Sequence, residues 1–455
     1  MTTTSEPSLA RCPGPSWQDL LDREVRPVPA SMRAESPYLN GMDDVPKERY
    51  LSRARHELEK ERLWSRVWQF ACREEHLPKV GSYVVYEICD RSYIVVRSAQ
   101  DEIRAYPNAC LHRGRALKTY DGRCDEFRCP FHGFTWQLDG ALKSVPADWD
   151  FPYLEDRAET FVLPAIRVGV WEGFVFINPD PAAEPLEQFL GVLPEHFARW
   201  RLGDRYVQAH VAKVIRCNWK IAIEAFSEGY HVGGTHPQAV PYVSDPMGQI
   251  DVWGNVARQM SPSGMASPLM AWEPTEEQIL RAMLDIREGE ALPIELAAGQ
   301  TARAALAERG RERWRPVVGD LVDELTDSEF VDHFNYTVFP NTHPWGAFNR
   351  ICYRFRPNGD DHESCIFEVF FITPFTGARP EPAVVRWLDE DEPWAAATEL
   401  DTLGMVLDQD TFNMQHVHRG LKSLTKPGIS LSRYQEAIVR WRHDLIAAYI
   451  DRGAP

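Results

Sequence analysis

The chain has 455 residues, of which 44% are hydrophobic and 26% are charged, as is usual for a soluble globular protein. This length favours two or three domains, at roughly 100–200 residues per domain. The formal net charge of −17 argues against nucleic acid as a partner because it repels phosphate backbones, and no apolar run of about 18 residues predicts a membrane span.

The first half of the chain predicts an arm, a helix and a small β domain. Residues 1–45 are rich in Pro, Ser and Arg and have no clear period, so we expect an N-terminal arm that a partner subunit could order. Residues 46–68 predict an amphipathic helix from four apolar positions spaced among charged ones: Leu51, Leu58, Leu63 and Val67. Short β-rich runs then predict strands at 82–88, 92–98, 102–108 and 169–181.

The second half predicts a mixture of helices and antiparallel strands. Residues 182–204 are expected to form a helical linker, and residues 240–330 to form loops rich in Pro, Gly and Met among charged helices. Further helices are predicted at 217–232, 395–421 and 431–450. Antiparallel strands are predicted at 332–341, 350–359 and 363–375.

Two short loops carry residues that can ligate a metal. Cys110-x-His112 is followed, after sixteen intervening residues, by Cys129-x-x-His132. Two cysteines and two histidines can hold a tetrahedral zinc ion. They can also hold a Rieske 2Fe–2S cluster, in which the two thiolates bind one iron and the two imidazoles bind the other.

The residues that flank these ligands favour the cluster over zinc. Arg113 and Gly114 follow the first histidine, Pro130 follows the second cysteine, and Gly133 follows the second histidine. This arrangement resembles the Rieske consensus C-x-H-R-G…C-P-x-H-G, and a zinc ribbon does not require those flanks. We therefore interpret the four residues as ligands of a Rieske cluster, through which the protein handles electrons.

The remaining cysteines do not indicate a disulfide framework, because the total of nine is odd and thinly spread. We expect six of them to stay reduced, mostly as buried packing residues: Cys12, Cys72, Cys89, Cys217, Cys352 and Cys365. The start of the chain lacks the hydrophobic segment of a secretory signal. We therefore expect a cytoplasmic protein.

A second metal site is predicted in the segment 218–237. His231 and His236 would lie about 140° apart on a regular helix, but the glycines between them allow the helix to end and both rings to meet on one ion. Two histidines and one carboxylate are typical of non-haem Fe(II) sites that activate oxygen. Glu228 is a local candidate for the third ligand; Asp408 and Asp410, before a later helical segment, are better ones.

Other histidines have a simpler interpretation. His231 and His236 could themselves lie in a loop and bind nothing, although the Rieske motif in the same chain makes this unattractive. His416 and His418 lie in a polar helical stretch, and His333 and His343 lie near a predicted strand. We expect these four to be exposed or hydrogen-bonded residues without a metal.

Together, the motifs over about residues 45–435 resemble the α (oxygenase) subunit of the Rieske non-haem iron aromatic ring-hydroxylating oxygenases. The resemblance implies an α+β fold, with a Rieske β-sandwich and a helix-grip (START-like) catalytic domain built on an antiparallel sheet. The implied division is an arm at 1–45, a Rieske domain with its preceding helix at 46–180 and a catalytic domain at 181–455. Members of the family form α3 or α3β3 assemblies.

The resemblance also implies roles for individual residues. His231, His236 and Asp410 would bind the iron, and Glu228, where many members have Asp, would bridge it to the Rieske histidine of a neighbouring subunit. The segment around Asp410 resembles the family's EDxxxxxxxQRGLxS motif. The chain departs from that motif at two places, Gln409 and His418, and has Ala225 where many members have Asn.

The implied activity is that of a terminal oxygenase. Its cofactors would be the 2Fe–2S cluster and a mononuclear Fe(II), with O2 as co-substrate and NAD(P)H used only through a separate reductase. Because the sequence has no Gly-rich dinucleotide fingerprint, a ferredoxin, a flavin reductase or both must supply the electrons. We expect a homotrimer, with or without a β subunit.

Met, Trp and Phe are frequent in 240–330 and 333–375, which suits a small apolar aromatic or polycyclic substrate. The resemblance implies that this substrate is cis-dihydroxylated. A Rieske monooxygenase or oxidative demethylase is the alternative within enzymes. A non-catalytic electron carrier or a lipid-type binding protein is the alternative outside them.

Overall fold

The computed structural model describes residues 15–36 and 41–452, and its mixture of helices and antiparallel sheets confirms the α+β class. Cys12 lies outside the described residues. The elements of the N-terminal region are α1 (Trp17–Leu21), α2 (Ala30–Arg33), β1 (Val45–Pro46), α3 (Glu48–Leu51) and α4 (Arg53–Arg62).

The described part of the N-terminal arm packs against its own chain. Trp17 is fully buried, and its indole N–H donates to Ser328 Oγ at 3.0 Å and to Asp332 Oδ2 at 3.1 Å. The Glu24 carboxylate accepts hydrogen bonds from the backbone N–H groups of residues 327 and 328. Residues 15–36 are therefore held by contacts within their own chain, and ordering of the arm by a partner subunit stays a prediction.

The helix predicted over residues 46–68 is two helices, α3 and α4. The break falls at Ser52, whose extended backbone ends α3 and whose hydroxyl accepts a hydrogen bond from the N–H of Arg55 to cap α4. Side-chain caps of this kind satisfy backbone donors that a helix start leaves free. Leu63 and Val67 lie beyond the end of α4, although both are buried.

A small β domain follows, and all four of its predicted strand regions are found. Three small sheets have the orders β5-β4-β3-β6, β7-β8-β9 and β10-β11-β2. Their strands are β2 (Gln69–Arg73), β3 (Ser82–Ile88), β4 (Arg91–Ala99), β5 (Glu102–Pro107), β6 (Gly122–Arg123), β7 (Phe127–Arg128), β8 (Thr135–Trp136), β9 (Leu142–Ser144), β10 (Arg167–Trp171) and β11 (Phe174–Asn178).

The remaining elements build one large sheet with helices against it. These elements are α5 (Leu186–Leu190), α6 (Leu193–Phe197), β12 (Arg205–Ile215), α7 (Trp219–Glu224), α8 (Val232–Thr235), β13 (Gln249–Trp253), β14 (Val256–Ser261), α9 (Glu276–Met283), α10 (Ala302–Val318), α11 (Ser328–Val331), β15 (His333–Val338), β16 (Thr342–Pro344), β17 (Ile351–Asn358), β18 (Asp361–Pro374), β19 (Arg386–Leu388), α12 (Leu403–Ser423), β20 (Gly428–Ile429) and α13 (Ala437–Asp451). The sheet order is β13-β14-β15-β16-β17-β18-β12-β19, and β1 pairs with β20.

Some elements of this half differ from the prediction. The strands predicted near 332–341, 350–359 and 363–375 are present as β15, β17 and β18. The helix predicted over 217–232 is wrong, since α7 ends at Glu224 and a turn separates it from α8. No strand was expected at β12, and β13 and β14 lie in the segment 240–330, where loops and charged helices were expected.

An ion cluster joins the small β domain to the large sheet. Arg354 donates to Glu368 through Nε and Nη2, at 2.7 and 2.6 Å, and to the carbonyls of Phe70 and Ala71 through Nη1. Arg356 donates to the same carboxylate at 2.9 Å. Burial alone would raise the pKa of Glu368, but the two guanidinium charges hold it well below its ordinary value.

Replacing Glu368 by Gln should therefore destabilise the protein by about 3–5 kcal/mol, because two buried guanidinium groups lose their counter-charge. The urea midpoint reports this loss. In the wild type the depressed pKa means that the carboxylate stabilises the fold fully at neutral pH. That contribution declines as the pH falls below the ordinary value of 4.5.

Glu390 gives the matched control for this prediction. It pairs with Arg216, and the two side chains are 39% and 69% exposed. Exposed ion pairs contribute at most about 1 kcal/mol, so Glu390→Gln should leave the midpoint nearly unchanged. Equal midpoints for the two variants would show that the buried cluster does not hold the domains together.

The cysteines and the helices of the structure agree with the corresponding expectations from the sequence. Of the six cysteines expected to stay reduced, five are described, and all five are buried and unbridged: Cys72, Cys89, Cys217, Cys352 and Cys365. Among residues 15–36 and 41–452, no helix combines the length and apolar character needed to cross a bilayer.

Candidate metal centres

The two predicted cluster loops have the same backbone design. In each, the cysteine N–H donates to the carbonyl five residues later, at 2.8 Å for both Cys110 and Cys129. The glycine four residues later, Gly114 or Gly133, donates back to the cysteine carbonyl at 2.8 or 3.0 Å. Both glycines have a positive φ, +75° and +80°, which other residues rarely adopt. This explains why a glycine follows each histidine motif.

The two cysteine sulfurs face each other in a buried position. Cys110 and Cys129 are 3% and 1% exposed, and their side chains lie within hydrogen-bonding reach of each other. Burial raises the pKa of the Cys110 thiol. Burial also acts on Cys129, but N–H groups of Phe131 and His132 donate to its sulfur and lower its pKa. Two adjacent sulfurs with N–H donors suit thiolates that bind one iron.

The two histidine rings meet on the outer side of the same loops. The ring centroids of His112 and His132 are 4.7 Å apart. His112 stacks on Phe134 at 4.6 Å, and its Nδ1 is buried without a hydrogen-bond partner among the described residues. An orphaned imidazole nitrogen beside two thiols fits metal coordination. His132 is exposed, which gives the site an edge toward solvent or a partner.

The second predicted site forms around α8 and α12. His231 immediately precedes α8 and His236 immediately follows it, so the two ligands flank a single helical turn. The two intervening glycines do not turn the chain back, as expected from the sequence, because both lie inside α8 without a positive φ. The turn arises instead at His236, where φ is −120° and ψ is 61°.

Asp410 completes a group of three ligand atoms that lie within 4.8 Å of one another. Its Oδ1 is 2.8 Å from His236 Nε2 and 3.5 Å from His231 Nε2. The residue lies inside α12 and is 3% exposed. Two imidazole nitrogens and one carboxylate, arranged in this way, match the donor set of a non-haem Fe(II) site.

The charges of this group favour a cation at its centre. Burial opposes a charged ring, but hydrogen bonds with Asp410 and Glu228 raise the pKa of His231 to about 10. Burial likewise opposes a charged carboxylate at Asp410, yet the two histidines lower its pKa. The three side chains therefore favour a positive charge at the buried site between them.

Each histidine of the triad is oriented by a hydrogen bond to its other nitrogen. His231 Nδ1 donates to Glu228 Oε1 at 2.9 Å, and His236 Nδ1 donates to Gln409 Oε1 at 2.9 Å. Both Nε2 atoms are thus left for the metal, as is usual for ligating histidines. Sequence reasoning gave Gln409 no function, and only its position next to Asp410 could have indicated one.

Replacing Gln409 by Ala should weaken iron binding about 10–100-fold, because the ring of His236 loses the acceptor that fixes its orientation. Competition with a chelator measures this. Gln238→Ala is the control, since Gln238 is exposed and contacts Gln409 without touching His236. If both variants hold iron as tightly as the wild type, Gln409 does not orient the ligand.

Glu228 faces a cavity of about 230 Å³ beside the triad. Its two oxygens accept from His231 Nδ1 and from the His231 backbone N–H at 3.0 Å. Its side chain is 12% exposed, and it is not one of the three grouped ligand atoms. A carboxylate has about four acceptor positions, so Glu228 can accept a further hydrogen bond from a group that enters the cavity.

The cavity also contains the position at which many family members have Asn. Ala225 lines it together with Glu224, the last residue of α7. Tyr50 donates to Glu224 at 2.8 Å, and His443 Nε2 lies 2.9 Å from the same carboxylate. These contacts anchor the end of α7. The segment that follows α7 and carries Glu228 and His231 is called the metal loop below.

The histidines at positions 333, 343, 416 and 418 are not part of the grouped ligand atoms found among the described residues. His416 is exposed, and its Nδ1 donates to the Phe412 carbonyl at 2.7 Å. His418 is buried, and its Nδ1 accepts from the N–H of residue 218. His343 is fully buried, whereas His333 is half-buried and lines a separate cavity.

Two protein-family models match separate regions of the chain. Residues 197–452, more than half of it, match the model of the ring hydroxylating alpha subunit (catalytic domain). Residues 67–155 match the Rieske 2Fe–2S domain. Among solved structures, a naphthalene 1,2-dioxygenase variant bound to phenanthrene has a similar fold, with a TM-score of 0.63 and 19% identity over 91% of this chain and 93% of that chain.

Curated relatives include two kinds of oxygenase. The biphenyl 2,3-dioxygenase subunit alpha of Rhodococcus jostii is 34% identical over 41% of this chain and 42% of the relative. The glycine betaine monooxygenase oxygenase subunit of Chromohalobacter salexigens is 32% identical over 40% of each. The matched region thus spans less than half the length of these relatives.

Proposed function

Because the chain belongs to the family of ring-hydroxylating alpha subunits, we propose that it is a terminal oxygenase that hydroxylates an aromatic or polycyclic substrate. The observation that carries this proposal is the triad of His231, His236 and Asp410, whose ligand atoms lie within 4.8 Å. The two domains of this family bind two cofactors, a Rieske 2Fe–2S cluster and a mononuclear iron. When bound, they supply single electrons and the activation of O2, respectively.

The proposed roles follow the geometry of each site. Cys110 and Cys129 hold one iron of the cluster, and His112 and His132 hold the other. The triad holds the mononuclear iron through two Nε2 atoms and the Asp410 carboxylate. Burial of Asp410 and of His236, 3% and 5% exposed, limits the access of water to this place.

Glu228 is proposed to connect the two metal sites of neighbouring subunits. Its carboxylate holds the proton on His231 Nδ1 and faces an open cavity. An imidazole N–H of a partner's cluster could donate to it there. The exposed edge of His132 is the matching surface on the cluster side.

Exposed apolar side chains beside both sites support assembly of several copies, which we propose form a homotrimer. Phe131 and Trp149, in and after the cluster loops, are 57% and 79% exposed. Tyr230, before the first iron ligand, and Phe412, after the last, are 57% and 64% exposed. Large exposed apolar groups of this kind often mark protein interfaces.

Electrons are proposed to come from separate proteins in the cytoplasm, a ferredoxin, a flavin reductase or both. The sequence has no Gly-rich dinucleotide fingerprint, so NAD(P)H would be oxidised by the reductase. The domain limits of 1–45, 46–180 and 181–455 stay a prediction.

The test is product analysis with a surrogate reductase and a panel of aromatic acids, hydrocarbons and steroids. Incorporation of oxygen from 18O2 into a product supports the oxygenase. A cis-dihydrodiol would identify a dioxygenase, whereas a single hydroxyl or a demethylated product would identify a monooxygenase, as the glycine betaine relative is. Iron-loaded protein that reduces O2 without oxidising any panel member would contradict the proposal.

A further inference from the structure

Two polar side chains lie next to each other on the large sheet near the iron triad. Asn335 of β15 and Trp345, just after β16, are partners in an antiparallel bridge. Side chains of directly opposed residues point to the same face of a sheet. Asn335 is 7% exposed and Trp345 is half-buried.

Each of these side chains has a polar atom without a protein partner. The Asn335 amide donates from Nδ2 to the Phe226 carbonyl at 2.6 Å, which fixes the orientation of the amide. Its Oδ1 is then left buried and unpartnered among the described residues, and so is Trp345 Nε1. A buried donor or acceptor without a partner costs free energy. A ligand that accepts from Trp345 Nε1 and donates to Asn335 Oδ1 would remove this cost.

Other indole groups show why this pair is distinct. Trp64 and Trp394 also have unpartnered Nε1 atoms, but these rings are 1% and 0% exposed inside the packed core. The Trp345 ring is instead half-buried, and Asn335, its bridge partner on the neighbouring strand, has an unpartnered acceptor. A donor and an acceptor side by side form a recognition pair that the two core tryptophans lack.

The pair lies close to the proposed iron site. Phe226, which binds the Asn335 amide, is two residues before Glu228, and its ring is 4.7 Å from that of Tyr353. The Trp345 ring is 6.1 Å from the same tyrosine. Burial and, after it, the charge of Asp410 raise the pKa of Tyr353, which places this ring near the triad.

A separate cavity of about 560 Å³ borders the same region. It is lined by His333, Met283, Trp314 and Leu403, among others. The ring of His333 lies 5.6 Å from that of Trp345, so the recognition pair lies one aromatic contact behind the cavity wall. Its volume is typical of small-molecule sites.

We infer that the substrate carries a neutral hydrogen-bonding substituent, a hydroxyl or a carboxamide, which accepts from Trp345 Nε1 and donates to Asn335 Oδ1. The inference rests on the proposed oxygenase function and deepens it by naming the substrate class. Both protein atoms belong to uncharged groups, so they match a neutral substituent. An unsubstituted hydrocarbon would leave both atoms unpaired, and sites of this kind reject such analogues strongly.

The test uses the full chain with both metals loaded and three bicyclic probes of similar size. 2-Naphthol can accept and donate, 2-methoxynaphthalene can only accept, and 2-methylnaphthalene can do neither. Affinities are measured anaerobically by calorimetry. We expect 2-naphthol to bind at least about tenfold more tightly than 2-methylnaphthalene, with 2-methoxynaphthalene between them.

The variant Trp345→Phe removes the N–H and keeps an aromatic ring. It should reduce the preference for 2-naphthol by about tenfold while changing the affinity for 2-methylnaphthalene less than about twofold. Trp314→Phe, the same chemical change at a residue that lines the cavity, should leave the preference intact. Asn335 is not replaced because its amide also holds the metal loop.

The outcomes separate this inference from the proposed function. Equal wild-type affinities for 2-naphthol and 2-methylnaphthalene, failure of 2-naphthol to bind, or an unchanged preference in Trp345→Phe would overturn the inference. Oxygenated product from 2-methylnaphthalene in those cases would leave the oxygenase intact. A clear binding preference without oxygenation of any probe would support the recognition pair and count against the oxygenase.

Discussion

Replacing Asp410 by Ala should remove the mononuclear iron and lower turnover by roughly a hundredfold or more, because even supporting residues around a metal change its affinity 10–100-fold. The carboxylate is 2.8 Å from His236 Nε2 and is the only acidic ligand of the triad among the described residues. The absorbance and electron paramagnetic resonance signals of the cluster should persist, since all four proposed cluster ligands belong to other loops. Iron analysis and these spectra measure both effects.

Asp408→Asn is the matched control for this substitution. Asp408 lies two positions earlier in α12 and accepts hydrogen bonds from the N–H groups of Trp394 and Ala395, so it supports the fold without reaching the triad. It should retain the iron. An Asp410→Ala protein with full iron content and normal turnover would show that the third ligand has been misassigned.

Replacing Glu228 by Gln should leave both metals in place but reduce substrate oxidation roughly a hundredfold or more, an effect comparable to that of other supporting residues at metal sites. The side chain is not in the ligand triad, so iron stays bound. An amide has one acceptor oxygen where the carboxylate has two. It cannot accept from His231 Nδ1, from the His231 backbone N–H and from a partner's imidazole at once.

Single-turnover kinetics distinguish the proposed bridge from a structural role. In Glu228→Gln the reduced cluster should be reoxidised slowly even with substrate and O2 present. Glu436→Gln is the control, because Glu436 lines the same cavity and its Oε2 accepts from the backbone N–H of Ser432. Rapid cluster oxidation with a normal product yield in Glu228→Gln would exclude the bridge.

The cluster loops were predictable because their structure is local. Each loop closes through hydrogen bonds within six residues, and each requires a glycine with positive φ at a fixed offset from its cysteine. The local sequence therefore contains every residue that the loop conformation requires. The strands at residues 82–107 were predictable for a similar reason, since their β-rich runs are bounded by turn residues.

The parts that the sequence missed depend on contacts between distant residues. β13 and β14 lie in the segment 240–330, which was expected to form loops and charged helices because of its Pro, Gly and Met content. They contain charged residues that are buried in the structure, such as Asp251 and Arg258. These two form an ion pair at 2.7 Å, and Arg258 also donates to the N-terminal arm. The pairing satisfies both charges only after the strands and the arm have come together.

The metal loop was misjudged for a similar reason. A helix over 217–232 would suit the apolar pattern, yet the Glu228 carboxylate accepts from the His231 N–H, and Gly229 lies so close to Asp245 that a Cβ would be 2.4 Å from its Oδ1. Gln409 orients His236 from 173 positions away. No local pattern encodes such contacts.

We propose that one chain holds both a Rieske cluster and a separate iron at His231, His236 and Asp410. Quantitative iron and acid-labile sulfide analysis of the purified, reconstituted chain measures both metal sites at once. We expect about three irons and about two sulfides per chain. About two irons with about two sulfides would instead identify an electron carrier without a catalytic iron and would contradict this proposal.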